Sequence, residues 1–113
     1  NGTVARLTIN LFVANKLKPN EKYKNAAYDT VAHLFGKNYY NRSYVTGLGL
    51  NPPMNPHDRR CGADNIVEPW PGYLVGGGHS AIDWIDKEES YSHNEIAINW
   101  QASLVFALAW ALQ

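Results

Sequence analysis

The chain has 113 residues, ten basic against ten acidic side chains for a formal net charge of zero, and 45% apolar residues. That length suits one domain or part of one, and the balanced charge excludes the electrostatic footprint of a nucleic-acid or anionic-membrane binder. A single cysteine, Cys61, excludes an internal disulfide framework and leaves the redox compartment open.

Residues 3 to 17 are predicted to form a helix. Val4, Leu7, Leu11 and Ala14 mark one face at helical spacing, and Ile9, Phe12 and Val13 fill much of the rest. A helix apolar nearly all round is buried on more than one side. Lys18, Pro19 and Asn20 break the pattern. A second helix is predicted over residues 21 to 35, with Asn20 as its cap and Glu21 favourably placed in the first turn. Tyr23, Ala26, Ala27, Thr30, Val31 and Leu34 repeat at amphipathic spacing, and Gly36 stands where a helix ends on a left-handed residue. The short connection between the two predicts an αα-hairpin.

Residues 43 to 95 hold most of the glycines, nearly all of the prolines and every histidine but one. Loops longer than about 15 residues without structure of their own are uncommon in compact domains and usually functional. Proline fixes φ and glycine permits positive φ, so this stretch is shaped, and it reads as a site carried on a helical scaffold. Tyr44 and Val45, and residues 73 to 75, are predicted as short strands within it.

The third helix is predicted over residues 94 to 112 and carries no charge from Ile96 onward. Asn99, Gln101 and Ser103 interrupt it, and it falls short of the about 20 apolar residues of a membrane span. A buried inner helix of a bundle or barrel is expected instead. One amphipathic helix cannot cover two apolar ones, so the chain reads as a fragment, or as a unit that leaves apolar surface for a partner. The absence of an initiating Met and of a signal peptide in residues 1 to 10 fits a processed or excised piece.

Four groups of residues bear on chemistry. Pro56, His57, Asp58, Arg59 and Arg60 follow a double proline. They read either as a solvated charged turn or as polar recognition, in which histidine donates or accepts and arginine offers a rigid fork of donors. Asp86 and Glu95, with Glu88 and Glu89 between them, read either as solvated surface or as carboxyls in unlike environments. Glu95 is expected at the start of the most apolar helix, where burial raises a carboxyl pKa towards that of a general acid while the helix N-terminus favours the anion. Trp70, Tyr73, Trp84, Tyr91 and Trp100 either pin the loop to the core or offer flat faces to sugar rings. His57, Cys61, His79 and His93 are a candidate metal site, but their spacing matches no common zinc pattern.

Two of these stretches resemble a known family. Residues 43 to 51 (SYVTGLGLN), continuing through Pro56, His57, Asp58 and Arg59, resemble the histidine-containing active-site motif of glycoside hydrolase family 9, the cellulase family. Trp84, Ile85 and Asp86, then Tyr91, Glu95, Ala97 and Ala102, resemble the family's second motif, which carries its acidic residues. Both motifs stand in the family's order, and the resemblance covers essentially the whole chain. Three positions depart from it. Asp58 stands where many members have a second histidine, Gly78 replaces a frequent proline, and Gln101 replaces an asparagine, a longer amide that shifts whatever that asparagine holds.

The resemblance implies an all-α fold, with residues 1 to 113 as the C-terminal portion of an (α/α)6 barrel catalytic domain. It implies hydrolysis of internal β-1,4-glucosidic bonds in cellulose or related β-glucans with inversion. Glu95 would be the proton donor, with Asp86 and His57 as further active-site residues and Arg59, Trp100 and Tyr91 on the substrate. The general base, an aspartate near the family domain's N-terminus, has no counterpart here. The implied partners are a β-1,4-glucan and the N-terminal remainder of the domain, with neither nucleic acid nor membrane. No metal or other cofactor is expected in this segment, any structural calcium falling elsewhere in the domain. The implied location is secreted or cell-surface. The competing readings are a family member acting on β-linked glucosamine chains and a non-catalytic glycan-binding helical module.

Overall fold

A computed structural model describes residues 1–113. Three long helices carry the fold: α1 (Gly2–Leu17), α2 (Glu21–Leu34) and, after the long loop and two short helical turns, a C-terminal helix over Ile98–Ala111. The short turns are α3 (Arg59–Ala63) and α4 (Tyr91–Asn94), which makes the C-terminal helix α5.

The αα-hairpin forms as expected. Asn20 caps α2 by accepting from the Lys22 N–H at 2.9 Å. At the other end Gly36 adopts φ 134°, and the N–H groups of Gly36 and Lys37 return to the carbonyls of His33 and Ala32. Those two bonds are the Schellman arrangement that satisfies the last carbonyls of a helix. α1 packs against both α2 and α5, which scarcely touch each other. The buried Thr8 of α1 donates to Thr30 of α2 at 2.7 Å or accepts from it, and Phe12 places an edge on Tyr28 and a face on Trp110.

The core sits where one end of this helical layer meets the loop. Ala5, Leu34, Tyr44, Val45, Leu74, Val75, Trp84 and Leu104 form one buried cluster, so half of its members come from the loop segments around 45 and 75. The predicted short strands shrink to one antiparallel bridge, Val45 to Leu74. It is flanked by bonds from Thr46 N–H to the Tyr73 carbonyl at 2.9 Å and from Val75 N–H to the Tyr44 carbonyl at 3.0 Å. The pairing does not extend into a sheet because Gly47 turns the chain away at φ 65°, and Gly72 turns its partner away at φ 95°.

Only 21 of the 113 residues are buried, and the radius of gyration is 14.3 Å against about 13 Å for a compact domain of this length. The surplus surface is apolar. Ile98, Val105 and Phe106 of α5, Leu112 just after it, and Leu7 and Leu17 of α1 are all more than half exposed. An apolar area of this kind marks a contact surface. No helix is long and apolar enough to cross a membrane.

The third helix is a correction to the sequence reading. It starts at Ile98, not at residue 94. Glu95 and Ala97 are extended, at φ −60°, ψ 148° and φ −141°, ψ 141°. Residues 93 to 95 direct their carbonyls sideways to the neighbouring N–H groups of His57, Gly76 and Gly77, and a carbonyl engaged that way is not turned along a helix axis.

Candidate active site

The loop between α2 and α5 is held from inside by one carboxylate. Asp86 accepts from the Arg42 guanidinium at 2.7 Å, from the Met54 and Asn55 N–H groups at 3.1 Å each, and from the Asn94 amide at 3.0 Å. Its side chain is 9% exposed. Burial pushes this carboxyl upward, but the bonds from Met54, Arg42, Asn55 and Asn94 outweigh that and hold it below the usual carboxylate range. Arg42 is fixed in turn by the carbonyls of Asn51 and Pro52 and lies 4.9 Å from the Trp84 ring centre. The group ties residues 51 to 55 to residues 84 to 94.

His57 follows directly from that anchored segment. Its N–H donates to the Asn94 carbonyl at 2.8 Å, and His57 and Glu95 form a parallel bridge. The ring Nδ1 lies 2.7 Å from the Glu88 carbonyl. A carbonyl only accepts, so Nδ1 carries the proton and Nε2 is left free for a ligand. On the other side of Glu95, its carbonyl accepts from Gly76 N–H at 2.9 Å, and the His93 carbonyl accepts from Gly77 N–H at 2.7 Å. Gly76 allows this approach because a Cβ there would stand 3.2 Å from the His93 carbonyl and 3.3 Å from the Trp100 ring.

Glu95 therefore has a fixed backbone and a free side chain. It is solvent-exposed and takes part in none of the ion pairs. The expected burial of this carboxyl at the head of an apolar helix is not met by the residues of this chain, because the helix begins further on. His57 and Arg59 are likewise exposed, and the Tyr91 ring, 65% exposed, lies 6.2 Å from that of His57. His57, Tyr91 and Glu95 are thus brought together. Arg59 opens α3 next to them, with Asp58 capping that turn. Arg60 grips both oxygens of Asp58 at 3.0 Å and lies over the Trp70 and Tyr73 rings. Its hydrogen bonds hold the Asp58 carboxyl below the ordinary range. Of the two arginines, Arg60 is committed to the loop and Arg59 is not.

Trp100 has a different place. It is half-buried, packed against the core cluster, and lies against Gly2 and Gly76. Trp84 and Tyr44 are buried with their rings 4.9 Å apart, so these two aromatics pin the loop to the core. The four candidate metal ligands do not gather. His79 and His93 approach to 5.3 Å between ring centres, His93 pairs with the Ser90 hydroxyl, and no group of three or more ligating side chains forms. Burial raises the Cys61 thiol above its ordinary value, which keeps it protonated at neutral pH.

Gln101 accounts for its own departure from the motif. Its oxygen accepts from the Leu74 N–H and its amide donates to the Leu74 carbonyl, each at 2.9 Å. The side chain acts as a short strand edge holding residues 73 to 77 beside Glu95. Gln101→Leu removes both bonds and leaves the buried Leu74 backbone without partners, at a cost of about 1–3 kcal/mol per unsatisfied group. A lower thermal midpoint, measured by calorimetry, is the expected result.

Sequence reading missed Arg42 and Asn94. Each acts through partners far along the chain, Asp86 for Arg42 and Asn55 for Asn94. The only local signal was an asparagine immediately before the candidate acid.

The family model described as Glycosyl hydrolase family 9 matches residues 1–108. Endoglucanase D of Acetivibrio thermocellus is 68% identical over 110 residues, which is 96% of this chain and 18% of that protein. Among solved structures, Bacteroides ovatus GH9 superposes with a TM-score of 0.89 at 38% identity over 96% of this chain and 20% of its own. The cellulase Cel9M of C. cellulolyticum in complex with cellobiose does so at 0.83, with 28% identity over 98% of this chain and 28% of its own. The chain thus spans about a fifth to under a third of these three proteins.

Proposed function

The chain belongs to glycosyl hydrolase family 9, its helices being a portion of that family's (α/α)6 barrel, and from that membership we propose that it is the C-terminal part of a catalytic domain that hydrolyses internal β-1,4-glucosidic bonds in cellulose or related glucans with inversion. The observation that carries this reading is the Glu95 carboxyl, free of internal partners, on a backbone held between His57 and Gly76. Glu95 delivers a proton to the departing glucosyl oxygen. A carboxylate from the rest of the domain activates water on the opposite face of the ring, about 6.5–9.5 Å away.

His57 presents Nε2 to a sugar hydroxyl, since Nδ1 is engaged. Tyr91 offers an exposed ring beside it, and Arg59 offers donors that the loop does not use. Trp100 serves the site from behind, by packing against Gly76. Asp86 supports the loop and does not meet substrate. The segment needs no cofactor, because proton transfer and water complete the reaction. A polymeric substrate that cannot enter a cell is met outside it, which supports a secreted or cell-surface location. The uncommitted cation at Arg59 disfavours glucosamine chains, which carry positive charge themselves.

The stereochemistry tests the reading. Proton NMR of the first products from a soluble glucan, taken on the complete catalytic domain before mutarotation, is expected to show the α-anomer in excess. An excess of the β-anomer would refute inversion, and absence of new reducing ends would refute the hydrolase reading itself. A fall in viscosity well ahead of the rise in reducing ends is the mark of internal cleavage.

A further inference from the structure

Asn94 is wholly buried, and both of its amide hydrogens and its side-chain oxygen are engaged. Its oxygen accepts from the Trp84 indole N–H at 2.8 Å. Its amide donates one hydrogen to the Asn55 carbonyl at 2.8 Å and the other to Asp86 at 3.0 Å. An amide held from three directions has one orientation. The backbone of the same residue accepts from His57 N–H at 2.8 Å, and Glu95 follows it in the chain.

The consequence lies at Glu95. Its side chain has no internal partner, so the carboxyl is placed by its backbone alone. That backbone is fixed by Tyr91 and Gly76 through its own N–H and carbonyl, and on its N-terminal side by the locked Asn94. Aspartate is nearly the same shape as asparagine but could not serve, because it would set an acceptor against the Asp86 carboxylate and the Asn55 carbonyl. Threonine or serine could not reach all three partners. We propose that Asn94 is a positioning residue for proton transfer: it converts the Trp84–Asp86–Asn55 anchor into a fixed relation between Glu95 and His57. This rests on Glu95 as the proton donor.

The test uses the complete catalytic domain with two substrates, a soluble β-1,4-glucan and a dinitrophenyl β-cellobioside whose leaving group departs without a proton. For Asn94→Ala, kcat on the glucan should fall roughly 100-fold, the scale of a ~1 Å misplacement of a reacting group, with KM little changed. The loss on the aryl substrate should be much smaller. Equal losses on both substrates, tracking a lower thermal midpoint, would overturn the proposal and leave Asn94 a structural residue only. Should Asn94→Ala fail to fold, Trp84→Phe keeps an aromatic ring in the core and removes the bond to the Asn94 oxygen together with part of the indole's packing on Arg42 and Tyr44. It should show a smaller loss with the same preference for the aryl substrate, and a loss without that preference would overturn the proposal. Glu95→Gln, run alongside, separates the two levels. If Glu95→Gln shows the preference and the Asn94 and Trp84 variants do not, positioning by Asn94 fails alone. If Glu95→Gln lacks it, the assignment of the acid fails and the proposal with it.

Discussion

Replacing Glu95 by Gln in the complete catalytic domain is expected to lower kcat on cellulosic glucans by roughly 100- to 10,000-fold, the range that a positioned general acid contributes. A sugar alkoxide is a poor leaving group and needs its proton as the bond breaks. The amide of glutamine fills the same space and can donate a hydrogen bond, but it cannot give up a proton at any working pH. Binding should change little, because the Glu95 backbone is held by its neighbours whatever its side chain carries. Activity on an aryl glycoside that needs no protonation should largely survive. Steady-state rates on the two substrates decide the matter: equal losses would remove Glu95 from the role of acid, and no loss on either would remove it from the site.

Asp86→Ala should produce the largest loss of stability among single substitutions in the loop. The change strands the Arg42 guanidinium, the Asn94 amide and the N–H groups of Met54 and Asn55 at once. Removing one partner of a fully buried ion pair costs about 3–5 kcal/mol; the Arg42 side chain stays 31% exposed and keeps the Asn51 and Pro52 carbonyls, so the expected loss lies below that range. The pH dependence follows from the direction of the shift. The folded carboxyl lies below its unfolded value, which is about 3.9 for aspartate. Its contribution is therefore fully present above that value and is lost as pH falls through the lower folded value. The stability gap between wild type and Asp86→Ala, measured by denaturant titration, should be constant near neutrality and narrow as the pH drops below about 4. A gap that persists unchanged in acid would mean that the carboxylate charge is not what holds the loop.

The two substitutions divide the acidic residues of the second motif by role, and burial makes the division. Asp86 has every acceptor position turned inward and supports the loop. Glu95 has none turned inward and is available to a ligand.

Local chemistry was enough to place the αα-hairpin. The Asn20 cap, the apolar spacing from Tyr23 to Leu34 and the Gly36 terminus act within a few residues of one another, so the sequence could be read directly into helix bounds. The excess of apolar surface on the first and last helices was legible for the same reason, since periodicity counts faces whether or not anything covers them. The motif residues His57, Arg59, Tyr91 and Glu95 could be named from their order in the chain. Tertiary structure alone decided how each of them is held and how far it is exposed. The last helix starts at Ile98 because the carbonyls of residues 93 to 95 bond sideways to a loop and a glycine turn far earlier in the chain, and no local propensity encodes a partner at that distance. Glu95 is exposed in consequence and Trp100 faces the core. Arg42 and Asn94 became visible only once the fold had brought Asp86 and Asn55 to them, because a hydrogen bond is set by distance in space and leaves no period in the sequence.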